Sequence, residues 1–108
     1  MSALGVKRWP ENTPISQAAV TAAWAKKGYS CALWVDAPGQ QWLDFVHPTG
    51  ELVLVWEGTV EFEVEGQRAI LGPGDEVFIP ARARHSVWNR GDTVARWFFG
   101  YRELPAAP

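Results

Sequence analysis

From Gly28 onward, turn-forming residues recur every few positions and leave no room for a second long helix. Asp36-Ala37-Pro38-Gly39, Pro48-Thr49-Gly50, Glu57-Gly58, Glu65-Gly66, Gly72-Pro73-Gly74-Asp75 and Arg90-Gly91-Asp92 divide the chain. Between them lie short apolar or alternating runs: Tyr29 to Val35, Gln41 to His47, Glu51 to Trp56, Thr59 to Glu65, Gln67 to Leu71, Glu76 to Pro80, His85 to Asn89 and Thr93 to Tyr101. Thr59 to Glu65 alternates cleanly, with Val60, Phe62 and Val64 on one face and three glutamates on the other. The glutamates read as a solvated strand face. Eight or nine short strands at this spacing predict an all-β sandwich or closed barrel.

One helix precedes them. Thr13 suits a cap, Pro14 the first helical position and Gly28 the stop. Ile15, Ala18, Ala19, Ala22 and Ala25 recur at near-helical spacing, an alanine face suited to lying flat on a sheet, and Lys26 and Lys27 favour the C-terminal end of the dipole. The expected organisation is an N-terminal arm and helix over 1–28, a barrel over 29–103 and a frayed Pro/Ala-rich tail over 104–108.

Composition removes several function classes. The chain has 108 residues, the size of one domain, and 10 Lys+Arg against 12 Asp+Glu, so it lacks the basic excess of a nucleic-acid binder. A single cysteine rules out a disulfide framework. The longest uninterrupted apolar run, Leu52 to Trp56, is too short to cross a membrane. The N-terminal residues show no secretory signal, so a cytoplasmic location is expected, with Cys31 a reduced thiol without a cationic neighbour. Seven tryptophans are the compositional anomaly: they imply an aromatic core or an aromatic cavity.

The chain has two histidines, His47 and His85. Glu51 follows His47 by four residues, but Pro48 and Gly50 exclude a helix. On one continuous strand the pair would be about 13 Å apart, too far to share an ion. A turn at Pro48–Gly50, folding Glu51 back beside His47 across two antiparallel strands, is the geometry that unites them. His85 is the other imidazole available, and two imidazoles with a carboxylate form a familiar divalent-metal set. The alternative is a buried hydrogen-bonded cluster in which Glu51 bridges two imidazoles.

The order of these residues resembles the cupin superfamily. In its first motif, two His one residue apart precede a Glu and, after six more residues, a Gly; here His47, Glu51 and Gly58 match. Its second motif is matched by Gly74, Pro80, His85 and Asn89. The resemblance covers about residues 40–101. It implies a small double-stranded β-helix barrel, or jelly roll, whose ligands point inward and often hold iron, manganese, nickel, copper or zinc. Two positions depart from the pattern: Phe45 replaces the first metal His, and Arg82 replaces the Gly after Pro80. A three-ligand site of His47, Glu51 and His85 remains, with an apolar wall at Phe45.

The expected ligand pocket comprises Phe45, Trp56, Trp88, Asn89 and Arg96. Trp56 and Trp88 are either cavity wall or core. Asn89 shares the inward face with His85, and Arg96 either snorkels to the surface or anchors an anion. These residues imply a divalent-metal protein for a small organic ligand, either a dioxygenase- or isomerase-like enzyme or a non-catalytic sensing module. A metal-free enzyme with a His base, as in cupin-like sugar epimerases, is the third reading. Abundant Trp and an apolar helix face on so small a barrel further predict a homodimer.

Overall fold

The computed structural model of the chain describes residues 4–103. The expected tail over 104–108 lies outside them. Nine strands and one helix follow in order: β1 (Lys7–Arg8), α1 (Gln17–Ala25), β2 (Ala32–Asp36), β3 (Gln41–Phe45), β4 (Glu51–Glu57), β5 (Val60–Val64), β6 (Gln67–Leu71), β7 (Asp75–Ile79), β8 (His85–Trp88) and β9 (Ala95–Tyr101). They form two antiparallel sheets, ordered β1-β7-β4-β9-β2 and β3-β8-β5-β6. This is the jelly-roll barrel. The two-residue β1, paired with β7, is the strand that sequence patterning did not anticipate.

Period-two alternation explains the core. Val53 and Val55 of β4, Val60, Phe62 and Val64 of β5, Val77 and Ile79 of β7, Val87 of β8 and Trp97 of β9 meet between the sheets. The opposite face of the five-stranded sheet is also covered, because Leu52, Leu54 and Phe98 pack against Val20 and Trp24 of α1. The central strand β4 is therefore buried on both faces, which is why Leu52 to Trp56 is uninterruptedly apolar. At Gly100 an added Cβ would come within 1.8 Å of the Ser30 carbonyl oxygen, so only glycine allows β9 this approach.

The helix differs from expectation in two respects. Ser16, not Thr13, caps it, its side chain accepting from the Ala19 amide, and Pro14 lies outside it. The buried face is carried by Val20 and Trp24, while Ala18, Ala22 and Ala25 are exposed. Burial goes to the larger side chains because each removes more apolar area from water. Trp24 also donates its indole N–H to the buried Glu76 carboxylate at 3.2 Å. Among the described residues, no helix is long and apolar enough to cross a membrane.

Candidate metal centre and aromatic cavity

Glu51 opens the central strand β4 and stands between Ile79 of β7 and Tyr101 of β9. His85 opens β8 in the facing sheet, opposite Phe45 of β3 and Val64 of β5. His47 lies between them on the segment joining β3 to β4. That segment carries the chain from one sheet to the other, so β3 and β4 are not a hairpin pair. The expected cross-strand turn is thus replaced by a crossover between sheets. His47 and Glu51 still meet, because the crossover spans the narrow gap at one end of the barrel. Asp44, at φ +58°, and a register shift between Trp42 and Phe45 bend the end of β3 toward this crossing.

Glu51 Oε1 lies 3.4 Å from His85 Nε2 and 3.7 Å from His47 Nε2. The potential ligand atoms of the three residues lie within 4.8 Å of one another. His85 and Glu51 are buried, and His47 is half-buried. The Nδ1–H of His85 donates to the Ala83 carbonyl at 3.0 Å. That bond leaves Nε2 of neutral His85 as the free lone pair facing Glu51, the second-sphere arrangement that orients a metal-binding imidazole. Glu51 Oε1 is buried without a hydrogen-bond partner. An orphaned buried carboxylate oxygen beside two imidazole nitrogens fits a divalent cation, which would neutralise it.

Electrostatics are consistent with a charge-sharing cluster. Burial lowers the pKa of His85, but the neighbouring Glu51 carboxylate and the Ala83 carbonyl outweigh it, and the net shift is upward. Burial, and then the Glu51 charge, push the Tyr101 phenol up, so it stays protonated. Its hydroxyl sits 3.3 Å from His47 Nε2, within hydrogen-bonding distance.

Beyond this polar end, a cavity of about 100 Å³ enters the barrel. Phe45 flanks both imidazoles, with ring centroids 6.0 Å from His47 and 6.2 Å from His85. The walls are otherwise Trp34, Trp42, Phe62, Val87, Trp97 and Phe99. Trp97, Phe99 and Tyr101 alternate along β9, a pattern visible in the sequence that marks all three as one face. Asp36, almost fully buried, accepts the indole N–H groups of Trp34 at 2.8 Å, Trp42 at 2.9 Å and Trp97 at 3.1 Å.

Four of the expected pocket residues lie elsewhere. Trp56 shares parity with Leu52 and Leu54, so it faces the helix side and stacks on Phe98 at 5.3 Å. Trp88 alternates with the inward Val87 and lies on the outer face between the guanidinium groups of Arg68 and Arg90, at 5.0 and 4.9 Å. Arg96 alternates with Trp97, points outward and pairs with Glu57. Asn89 is buried past the end of β8, where its amide reaches the carbonyls of Asp36, Ala37 and Thr93 and fixes the adjoining loops. Only Phe45 of that set lines the cavity.

The two sheets form a jelly-roll barrel with His47, Glu51 and His85 gathered at one end. A cupin-domain family profile matches residues 32–101, and the chain belongs to the cupin family. Solved structures agree in fold. A cupin 2 conserved barrel domain protein from Salinispora arenicola superposes with a TM-score of 0.64 at 23% identity, over 96% of this chain and 79% of that one. The TT1209 protein of Thermus thermophilus gives 0.63 at 25% identity, over 86% of this chain and 100% of that one. An oxalate oxidase bound to the substrate analogue glycolate gives 0.65 at 21% identity, over 75% of this chain and 45% of that one. No curated protein matches in sequence.

Proposed function

We propose that this cupin binds a divalent metal ion through His47, Glu51 and His85, and a small organic ligand in the adjoining aromatic cavity. The observation that carries the reading is the buried Glu51 Oε1, without a hydrogen bond and between two imidazoles whose facing nitrogens converge on it. An ion held there supplies Lewis-acid polarisation of an oxygen on the ligand. The chain's own residues do the rest. His85 is held in one tautomer by Ala83, Tyr101 keeps a proton beside His47, and the aromatic walls make the adjoining cavity largely apolar.

Turnover of the ligand, in the manner of a dioxygenase or isomerase, is the enzymatic form of this reading. A ligand-binding module is the second form. It is favoured by Phe45, which puts an apolar ring where the family places a further imidazole, and by a cavity lining whose acid–base groups are only the cluster itself and Tyr101. A homodimer, cytoplasmic in location, belongs to the same proposal.

The deciding experiment strips the protein of metal, offers iron(II), manganese(II), nickel(II), copper(II) and zinc(II) in turn, and measures retained metal after gel filtration, with His85→Ala alongside. Retention by the wild type and loss in the variant support the reading. No uptake of any ion overturns it. A metabolite screen by thermal shift on the loaded protein, followed by product analysis, then separates conversion from binding, and light scattering of the same sample reports the dimer.

A further inference from the structure

The cavity has two chemically different ends. At one end stand the nitrogens and carboxylate of the cluster. At the other, four positions back along β9 from Tyr101 and so about 13 Å away, stands Trp97, with Trp34 beside it at 6.2 Å between centroids. Three indoles at this end could each offer an N–H to a ligand. None does, because Asp36 accepts all three, with Oδ1 bonding Trp34 and Trp42 and Oδ2 bonding Trp97. The three rings come from β2, β3 and β9, and hence from both sheets, yet their donors converge on one carboxylate with about 1% of its residue surface exposed. The faces left for the cavity are aromatic carbon.

We infer that Asp36 is a specificity-determining residue. By sequestering the three indole N–H groups, it makes the deep end of the cavity purely apolar and so selects a small ligand with a single oxygen-donor head and a compact hydrocarbon tail. The head faces His47, Glu51 and His85, and the tail lies against the tryptophans. The head-group assignment rests on the metal reading above; the apolar deep end does not. A cavity of about 100 Å³ limits the tail to a short branched chain or a small ring. A second hydroxyl or carboxylate at the tail would lose its water and find no partner.

The test compares 3-methylbutanoate with its isostere 3-hydroxybutanoate, which exchanges one methyl for a hydroxyl. Titration of each into nickel(II)-loaded protein, followed by calorimetry, is expected to favour the methyl compound by about ten- to a hundredfold. Equal affinities, or preference for the hydroxyl compound, overturn the inference while leaving nickel binding, and with it the metal reading, intact. If nickel(II) is not retained, the titration uses whichever of the five ions is; retention of none of them overturns the metal reading and the head-group assignment together. In Asp36→Asn the carboxamide offers fewer acceptor sites, freed indoles face the cavity, and the preference is expected to fall severalfold. An unchanged preference counts against Asp36. Because that variant risks misfolding, ¹⁵N–¹H spectra of the wild type give a second readout. The indole N–H signals of Trp34, Trp42 and Trp97 are expected to exchange slowly with water and to persist when ligand is added. Rapid exchange of all three overturns the role of Asp36 without any substitution.

Discussion

Glu51 Oε1 stands 3.4 Å from His85 Nε2 at one end of the barrel, yet it accepts no hydrogen bond. The two groups come from facing sheets, so neither can retreat without disturbing the strand that holds it. The pair is either bridged by a cation or shares a proton, and each state has a measurable signature.

Metal should stabilise the protein. A ligand that binds only the folded state adds RT ln(1 + [L]/Kd), about 2.7 kcal/mol at a hundredfold excess over Kd. Nickel(II) or zinc(II) is therefore expected to raise the melting temperature of the wild type by several degrees and to leave Glu51→Gln unmoved. Scanning calorimetry checks this, and an equal rise in the variant would place the ion elsewhere.

In the metal-free protein, stability should depend on pH through His85. Its folded-state pKa lies above the ordinary 6.5. The protonated imidazole is thus favoured in the folded chain, and this contribution is fully present below about 6.5. It declines as pH rises and is gone above the folded-state value. Urea midpoints of metal-free protein are expected to fall across neutral pH, and His85→Gln is expected to flatten that fall.

Arg82 occupies the left-handed region at φ +65°, where the family pattern has glycine. Its amide donates to the His47 carbonyl at 2.7 Å, so the strained residue helps hold the loop that bears His47. Arg82→Gly relieves a left-handed penalty of about 1–2 kcal/mol and loses part of it to unfolded-state entropy. A net gain of about 0.5–1 kcal/mol is expected in denaturant unfolding, with metal affinity retained.

Phe45 has its ring against both His47 and His85. Phe45→His restores the residue type that the family motif places here. Metal affinity is expected to rise by about tenfold, about 1.4 kcal/mol. Competition with a chromophoric chelator measures it, and unchanged affinity would show that position 45 does not reach the ion.

Much of this architecture is written locally. Turn residues mark the strand ends, and the observed strands match the expected runs to within a few residues. The same period of two places Trp97, Phe99 and Tyr101 on one face and excludes Arg96 from it, as it excludes Trp88 beside Val87. Those two assignments to the pocket failed against a rule already visible in the sequence. The helix cap failed for a different reason. Thr13 and Ser16 are both competent caps, and the choice follows from where Val20 and Trp24 must sit to reach β4 and β9.

By itself the sequence determined the all-β jelly roll with one leading helix and the set His47, Glu51 and His85, because turn chemistry, strand period and motif spacing are properties of neighbours along the chain. Only the tertiary structure decided that His47 reaches Glu51 by crossing between sheets, that Tyr101 joins them and that Asp36 gathers three indoles. Those relationships join residues up to 61 positions apart. They depend on how two twisted sheets face each other, which no local pattern encodes.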